Sequence, residues 1–289
     1  MWRLQLLVAV IVVTSVGIFT LEAIPQDPAY HDFADSRRLL GISNFYNVAS
    51  SAAFFFVGLA GLAALKVGEP QGALRALQPS YAALFVATTL IGIGSAYYHL
   101  APSNATLFWD RVPITFALMA FVCVIVGEHI NPRLGRVLPL PLLLLGLATV
   151  LYWHLTEQHG RGDLRPYILV QLLPVVLVPL IMLLYRSRLT PTWLTWSPLV
   201  AYALAKAFET IDAATYHAIG ISGHTLKHVI ASLGLLLFGS GCSCSATAAA
   251  CRQGLTGCRD CAATVTPAAV DAKPPPPKRV VDAALRETQ

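Results

Sequence analysis

The sequence predicts an all-α, polytopic membrane helix bundle: a seven-helix core with an additional transmembrane helix at its N-terminus. Three observations carry this expectation. Of 289 residues, 56% are hydrophobic and only 12% charged, against about 25% charged in a soluble domain. The mean hydropathy is +0.63. The apolar residues are gathered into runs, and a helix needs about 20 of them to cross a hydrocarbon core roughly 30 Å thick. A water-soluble enzyme, a collagen-like chain and a disordered chain are thereby excluded. The net charge of +5 is too small and too scattered to suggest a nucleic-acid partner.

Eight runs bounded by polar, Pro or Gly residues are long enough to span: about 4–21, 45–65, 80–100, 107–127, 137–154, 166–185, 194–208 and 224–240. The first follows Arg3 and resembles a secretory signal, but no A-x-A-like cleavage site precedes Pro25, so a retained helix or uncleaved signal anchor is expected over residues 1–24. Residues 25–43 form an exoplasmic or periplasmic segment, and residues 44–240 hold the seven-helix core. Residues 241–289 contain Pro274 to Pro277 and no spanning run, and are expected to be a disordered tail. Cys242, Cys244, Cys251, Cys258 and Cys261 lie in that tail at spacings that fit no well-defined zinc finger, while Cys123 sits alone inside a span as a small core residue.

Positive charge sets the orientation. With a cytoplasmic N-terminus, the inner loops and tail carry Lys66, Arg75, Arg133, Arg136, Arg186, Arg188, Lys273, Lys278 and Arg279. The outer segments carry Arg37, Arg38, Arg161 and Arg165. This bias favours both termini inside.

Ionisable side chains are expensive in lipid, so those at span ends point to function. The third span ends with Ser95 and His99 at i and i+4, on one helical face. The fourth opens with Asp110, and the last opens with His224 and His228, again at i and i+4. Two imidazoles at that spacing converge on one ion, and a third from another helix completes a His₃ set with an open position for water, the layout of a catalytic zinc. Alternating the spans places all five residues at the same membrane face. Lys206, Glu209 and Asp212 form a second polar group near the end of the seventh span. It reads either as a helical ion pair or as support around the metal site.

These residues resemble those of the CREST superfamily of membrane hydrolases, which includes the alkaline ceramidases, the progestin and adiponectin receptors and bacterial relatives. The resemblance rests on Ser95-x-x-x-His99, Asp110 and His224-x-x-x-His228, and covers roughly residues 30–240. It implies Zn2+ held by His99, His224 and His228, with Ser95 and Asp110 beside the water. It also raises calcium, because alkaline ceramidases carry an acidic calcium-binding segment before the first core helix. Here Asp32, Asp35 and Asn44 supply only part of an oxygen set, and Arg37 and Arg38 oppose a cation. Leu226-Lys227 stands where the ceramidases place an aromatic, and the surroundings of Phe33 and Gly223 are closer to the bacterial branch.

The expected activity is therefore zinc-dependent hydrolysis of an amide bond in a membrane lipid, ceramide or another N-acyl lipid. Asp110 would act as proton carrier and Ser95 as donor to the oxyanion. The alternative is a receptor or scaffold with a structural zinc. A transporter would carry polar residues near the membrane midplane, whereas here they cluster at one end.

Overall fold

The computed structural model describes residues 1–66, 73–187 and 190–252, with side chains from 75 onward in the second stretch and through 241 in the third. Among the described residues ten α-helices follow in order: α1 (Trp2–Phe19), α2 (Phe45–Ala64), α3 (Ala73–Leu100), α4 (Asn104–His129), α5 (Pro132–Val137), α6 (Pro139–Gln158), α7 (Arg165–Leu184), α8 (Thr192–Thr210), α9 (Asp212–Ile219) and α10 (Gly223–Arg252). A 3-10 turn, Pro28–His31, lies between α1 and α2.

Each of the eight apolar runs is a helix, but they do not all meet the same test of apolarity. Among the described residues six helices are long and apolar enough to cross a membrane, or seven when α9 and α10 are taken as one span bent by 100°. The exception is α8, whose 19 residues include Lys206 and Glu209. The sharp bend comes from Gly220, which ends α9 with φ +73, a left-handed conformation that glycine adopts without a Cβ clash. The last helix also runs about three turns past the expected end at 240, to Arg252, so its backbone includes Cys242, Cys244 and Cys251. Cys258, Cys261 and the rest of the expected tail lie outside the described residues.

The most buried span is α4, which packs against α3, α5, α6 and α7. α3 and α4 form a hairpin closed by Ser103, whose hydroxyl caps α4 by accepting from the Thr106 amide at 3.2 Å. On the far side, α10 packs against both α2 and α8. The additional helix, α1, lies against α7 with Leu7 as its buried residue. Large apolar side chains along α1 stay exposed, as expected of a helix meeting lipid.

The segment 25–43 is a strap across one end of the bundle. The Leu164 amide donates to the Ile24 carbonyl at 2.8 Å, and Tyr30 reaches Glu209. His31 bonds both Tyr98 and Asn104, at 2.9 and 3.0 Å, and the Ala34 amide donates to Asp212. His31 reads from the sequence as a solvated loop residue, whereas here it pins the strap to α3 and α4.

Candidate metal centre

The strap end of the bundle is where the predicted site assembles. His99 closes α3, while His224 and His228 lie on the first turns of α10, and the three offer ligand nitrogens within 4.8 Å of one another. The Nε2 atoms of His99 and His224 are 3.3 Å apart. That equals the edge of a tetrahedron built on metal–nitrogen bonds of about 2.0–2.1 Å, about 3.3 Å. Ser95 Oγ is 3.4 Å from His228 Nε2, and Asp110 stands within interaction range of Ser95. All five residues are buried, none more than 8% exposed.

Close helix approach makes this possible. A Cβ on Gly94 would collide with the Trp109 carbonyl, so glycine lets α3 and α4 meet backbone to backbone beside Ser95 and Asp110. A Cβ on Gly223 would collide with the Phe208 carbonyl, so the start of α10 is likewise pressed onto the end of α8. Asp212 secures the same junction: Oδ1 accepts the His224 amide at 2.8 Å and Oδ2 the Ala34 amide at 2.9 Å. One carboxylate thus satisfies an orphan donor at a helix start and ties down the strap. Phe33 then lies edge-on to both His99 and His224, at ring separations of 4.7 and 4.8 Å, and covers them.

The first turns of α2 form the floor, and sequence reasoning missed most of it. Ser50 Oγ is 2.8 Å from His228 Nδ1 and gives its own proton to the Asn47 carbonyl at 3.1 Å. A hydroxyl has one proton, so Ser50 accepts from His228 Nδ1–H, which leaves the Nε2 lone pair on the side of Ser95 Oγ. Asn47 Oδ1 accepts from Thr225 at 2.7 Å, and Ser51 Oγ lies 3.0 Å from Ser95. The available signal was a run of polar residues at helical spacing, 44, 47 and 51, in an otherwise apolar span.

The three calcium candidates have different surroundings. Asn44 starts α2 in a left-handed conformation and donates Nδ2 to the His99 carbonyl at 2.9 Å. Asp35 is held by Arg37 through two guanidinium contacts of 2.8 and 2.5 Å, while Asp32 is exposed. Hydrogen bonds from Arg37 keep the Asp35 carboxyl below its ordinary range. Three neutral imidazoles are a donor set for zinc and other first-row transition ions, and not for calcium, which takes oxygen ligands.

A cavity of about 150 Å³ adjoins the histidines, reaching Ser95, Asp110 and His228. It extends between α7 and α8 past Phe54, Ile114, Phe121, Val175, Leu199 and Leu235, so most of its wall is apolar. At its polar end Glu209 bonds Lys206 on its own helix and Lys227 on α10, both at 2.6 Å. The helical ion pair anticipated from the sequence is therefore present, and Glu209 also reaches across to the residue preceding His228.

With the geometry in place, comparison with known families is decisive. The Ceramidase family matches residues 39–203, more than half of the chain. The chain belongs to the Ceramidase family. Membership implies a membrane hydrolase acting on the amide bond of ceramide-like lipids. The match takes in Ser95, His99 and Asp110 and stops before α10, so His224 and His228 join the site through the fold rather than through the match. No curated protein matches the chain.

Proposed function

We propose that the protein is a zinc-dependent intramembrane hydrolase that cleaves the amide bond of an N-acyl membrane lipid, with both termini cytoplasmic and the site on the exoplasmic or periplasmic side. The observation that supports this reading is a buried His₃ cluster with one member, His228, in the wall of a mostly apolar cavity that also reaches Ser95 and Asp110. A structural zinc closed on all four sides would have no use for such a cavity, which favours the hydrolase over a receptor or scaffold.

Bound by His99, His224 and His228, zinc would supply a Lewis acid and a water acidified towards neutral pH. The chain's own residues do the rest. The cavity takes the acyl chain and brings its carbonyl to the polar end. Asp110 accepts a proton from the attacking water and returns it to the leaving amine nitrogen. The Ser95 hydroxyl donates to the developing oxyanion. Ser50 keeps His228 in the tautomer that presents Nε2, and Phe33 with the strap limits access of bulk water.

The test is to purify the full chain in detergent, measure bound metal, and assay N-acyl lipids. Turnover that is lost on chelation and restored by zinc is expected. Turnover unaffected by removal of the metal would sink the assignment.

A further inference from the structure

The strap carries its own cation. Asp35 has only 1% of its side chain exposed, and a carboxylate buried to that degree needs a positive partner. Arg37 supplies it: Nε and Nη2 donate to the two carboxylate oxygens at 2.8 and 2.5 Å, and the Arg37 backbone amide adds a third bond at 3.2 Å. The same guanidinium reaches beyond the strap. Nη2 donates to the Gly220 carbonyl at 2.7 Å, at the corner between α9 and α10. Its carbon lies 4.5 Å from the Tyr46 ring centre on α2 and 5.4 Å from that of Tyr216 on α9. The Arg37 carbonyl accepts the Phe45 amide at 3.1 Å, an orphan donor at the start of α2. One residue thus joins the strap, α2 and the α9–α10 corner.

These are the tasks of a bound divalent cation, which neutralises carboxylates and gathers carbonyl oxygens from neighbouring segments. Both Asp35 oxygens and the Gly220 carbonyl are already engaged by the guanidinium. Of the other acids nearby, Asp27 and Asp32 are exposed, and Asp212 spends its two oxygens on the amides of His224 and Ala34. A calcium ion takes six to eight oxygens, and here it would have to enter beside a fixed positive charge. Asp35 is two residues from Phe33, whose ring covers His99 and His224, and Ala34 between them is tied to Asp212. Whatever fixes Asp35 therefore helps to fix that ring.

We infer that the Arg37 guanidinium takes the place of a divalent cation in the strap: it is a positioning residue that seats Phe33 on the metal centre, and the protein works without calcium. The kinetic part rests on the hydrolase reading above, whereas the docking part does not. A lysine keeps the charge but lacks the fork and the planar face that meets two tyrosines, so it is not an equivalent anchor.

The test uses the full chain in detergent, freed of calcium by ion exchange and loaded with zinc, as wild type, Arg37→Gln and Arg37→Lys. Calcium is added to about 1 mM, the weak end of protein calcium sites, with magnesium as the control for ionic strength. Wild type should show no calcium binding by calorimetry, and no change in N-acyl lipid turnover or in hydrogen exchange over residues 33–37. In Arg37→Gln, exchange over that segment should rise about five- to tenfold, the scale of one charge-assisted hydrogen bond at a half-exposed position, with exchange in α4 unchanged. Turnover should fall through kcat while KM stays nearly constant, because the cavity between α7 and α8 is untouched. Arg37→Lys should recover only part of both effects. Calcium that protects the strap or raises turnover in the wild type would overturn the inference. So would strap exchange unmoved in Arg37→Gln, or exchange that rises equally in the strap and α4, which is the mark of a general loss of stability. If none of the three proteins turns over any N-acyl lipid, the hydrolase reading fails and the exchange data still decide the role of Arg37.

Discussion

The two ends of α4 make opposite uses of a buried acid. Asp110 and Glu128 are both 8% exposed, and eighteen residues separate them, about 27 Å along a helix. Glu128 is saturated: it accepts from Tyr81, from Thr190 at 2.8 Å and from Ser187 at 3.2 Å, binding α3, α4 and the segment after α7 into one unit. Asp110 instead faces a cavity, beside three imidazoles whose ring nitrogens point at one another. A membrane protein satisfies a buried charge when the charge only holds helices together. It leaves groups convergent and open when they are to meet a ligand.

Breaking the open end should have the larger consequences. His224→Ala removes a third of the ligand set, so bound metal should be lost and N-acyl lipid hydrolysis should fall to background, as read by metal analysis and product release. Asp110→Asn keeps the ligands but removes the proton carrier. Hydrolysis should drop by about 10²–10⁴-fold with metal content unchanged. Ser50→Ala touches neither metal nor substrate, yet it frees the His228 tautomer and should weaken metal affinity by about 10–100-fold in a competition titration with a chelator.

At the closed end the pattern should reverse. Glu128→Gln replaces charged hydrogen bonds by neutral ones and should lower the unfolding free energy in detergent by about 1–2 kcal/mol, with metal content and turnover retained. The smallest effect belongs to the strap. The folded-state pKa of Asp35 is depressed by Arg37, so its contribution to stability is present above the ordinary carboxylate range and fades as pH falls through the lowered value. Asp35→Asn should therefore lower stability slightly at neutral pH and converge with the wild type in acid, which flattens the acid limb of the stability profile.

Much of this molecule is legible in its sequence because the bilayer constrains it so tightly. Apolar runs bounded by Pro, Gly and polar residues placed eight helices, six of them within about four residues at both ends, while α3 starts earlier and α10 runs further than expected; the scarcity of charge made His99, Asp110, His224 and His228 conspicuous. Three features were not legible. The strap is polar and aperiodic, so nothing in residues 25–43 announces that Phe33 lies on two histidines or that Ala34 bonds to Asp212. Lys227 and Glu209 are 18 residues apart on different helices, and an interhelical ion pair leaves no local pattern. The apolarity of α8 was overestimated because it carries Lys206 and Glu209, which line the polar end of the cavity. By contrast Asn44, Asn47 and Ser51 did carry a helical signal, one that emphasis on ionisable groups passed over.

The central claim is that these three histidines hold the metal that hydrolyses the amide. The most direct measurement is zinc per chain and N-acyl lipid turnover on the same detergent-purified preparations of wild type, His99→Ala and His224→Ala. The account predicts about one zinc per chain in the wild type, one ligand set filling one tetrahedral site, and joint loss of zinc and turnover in both variants. Turnover persisting in a variant that has lost its zinc, or zinc retained when either histidine is gone, would contradict it.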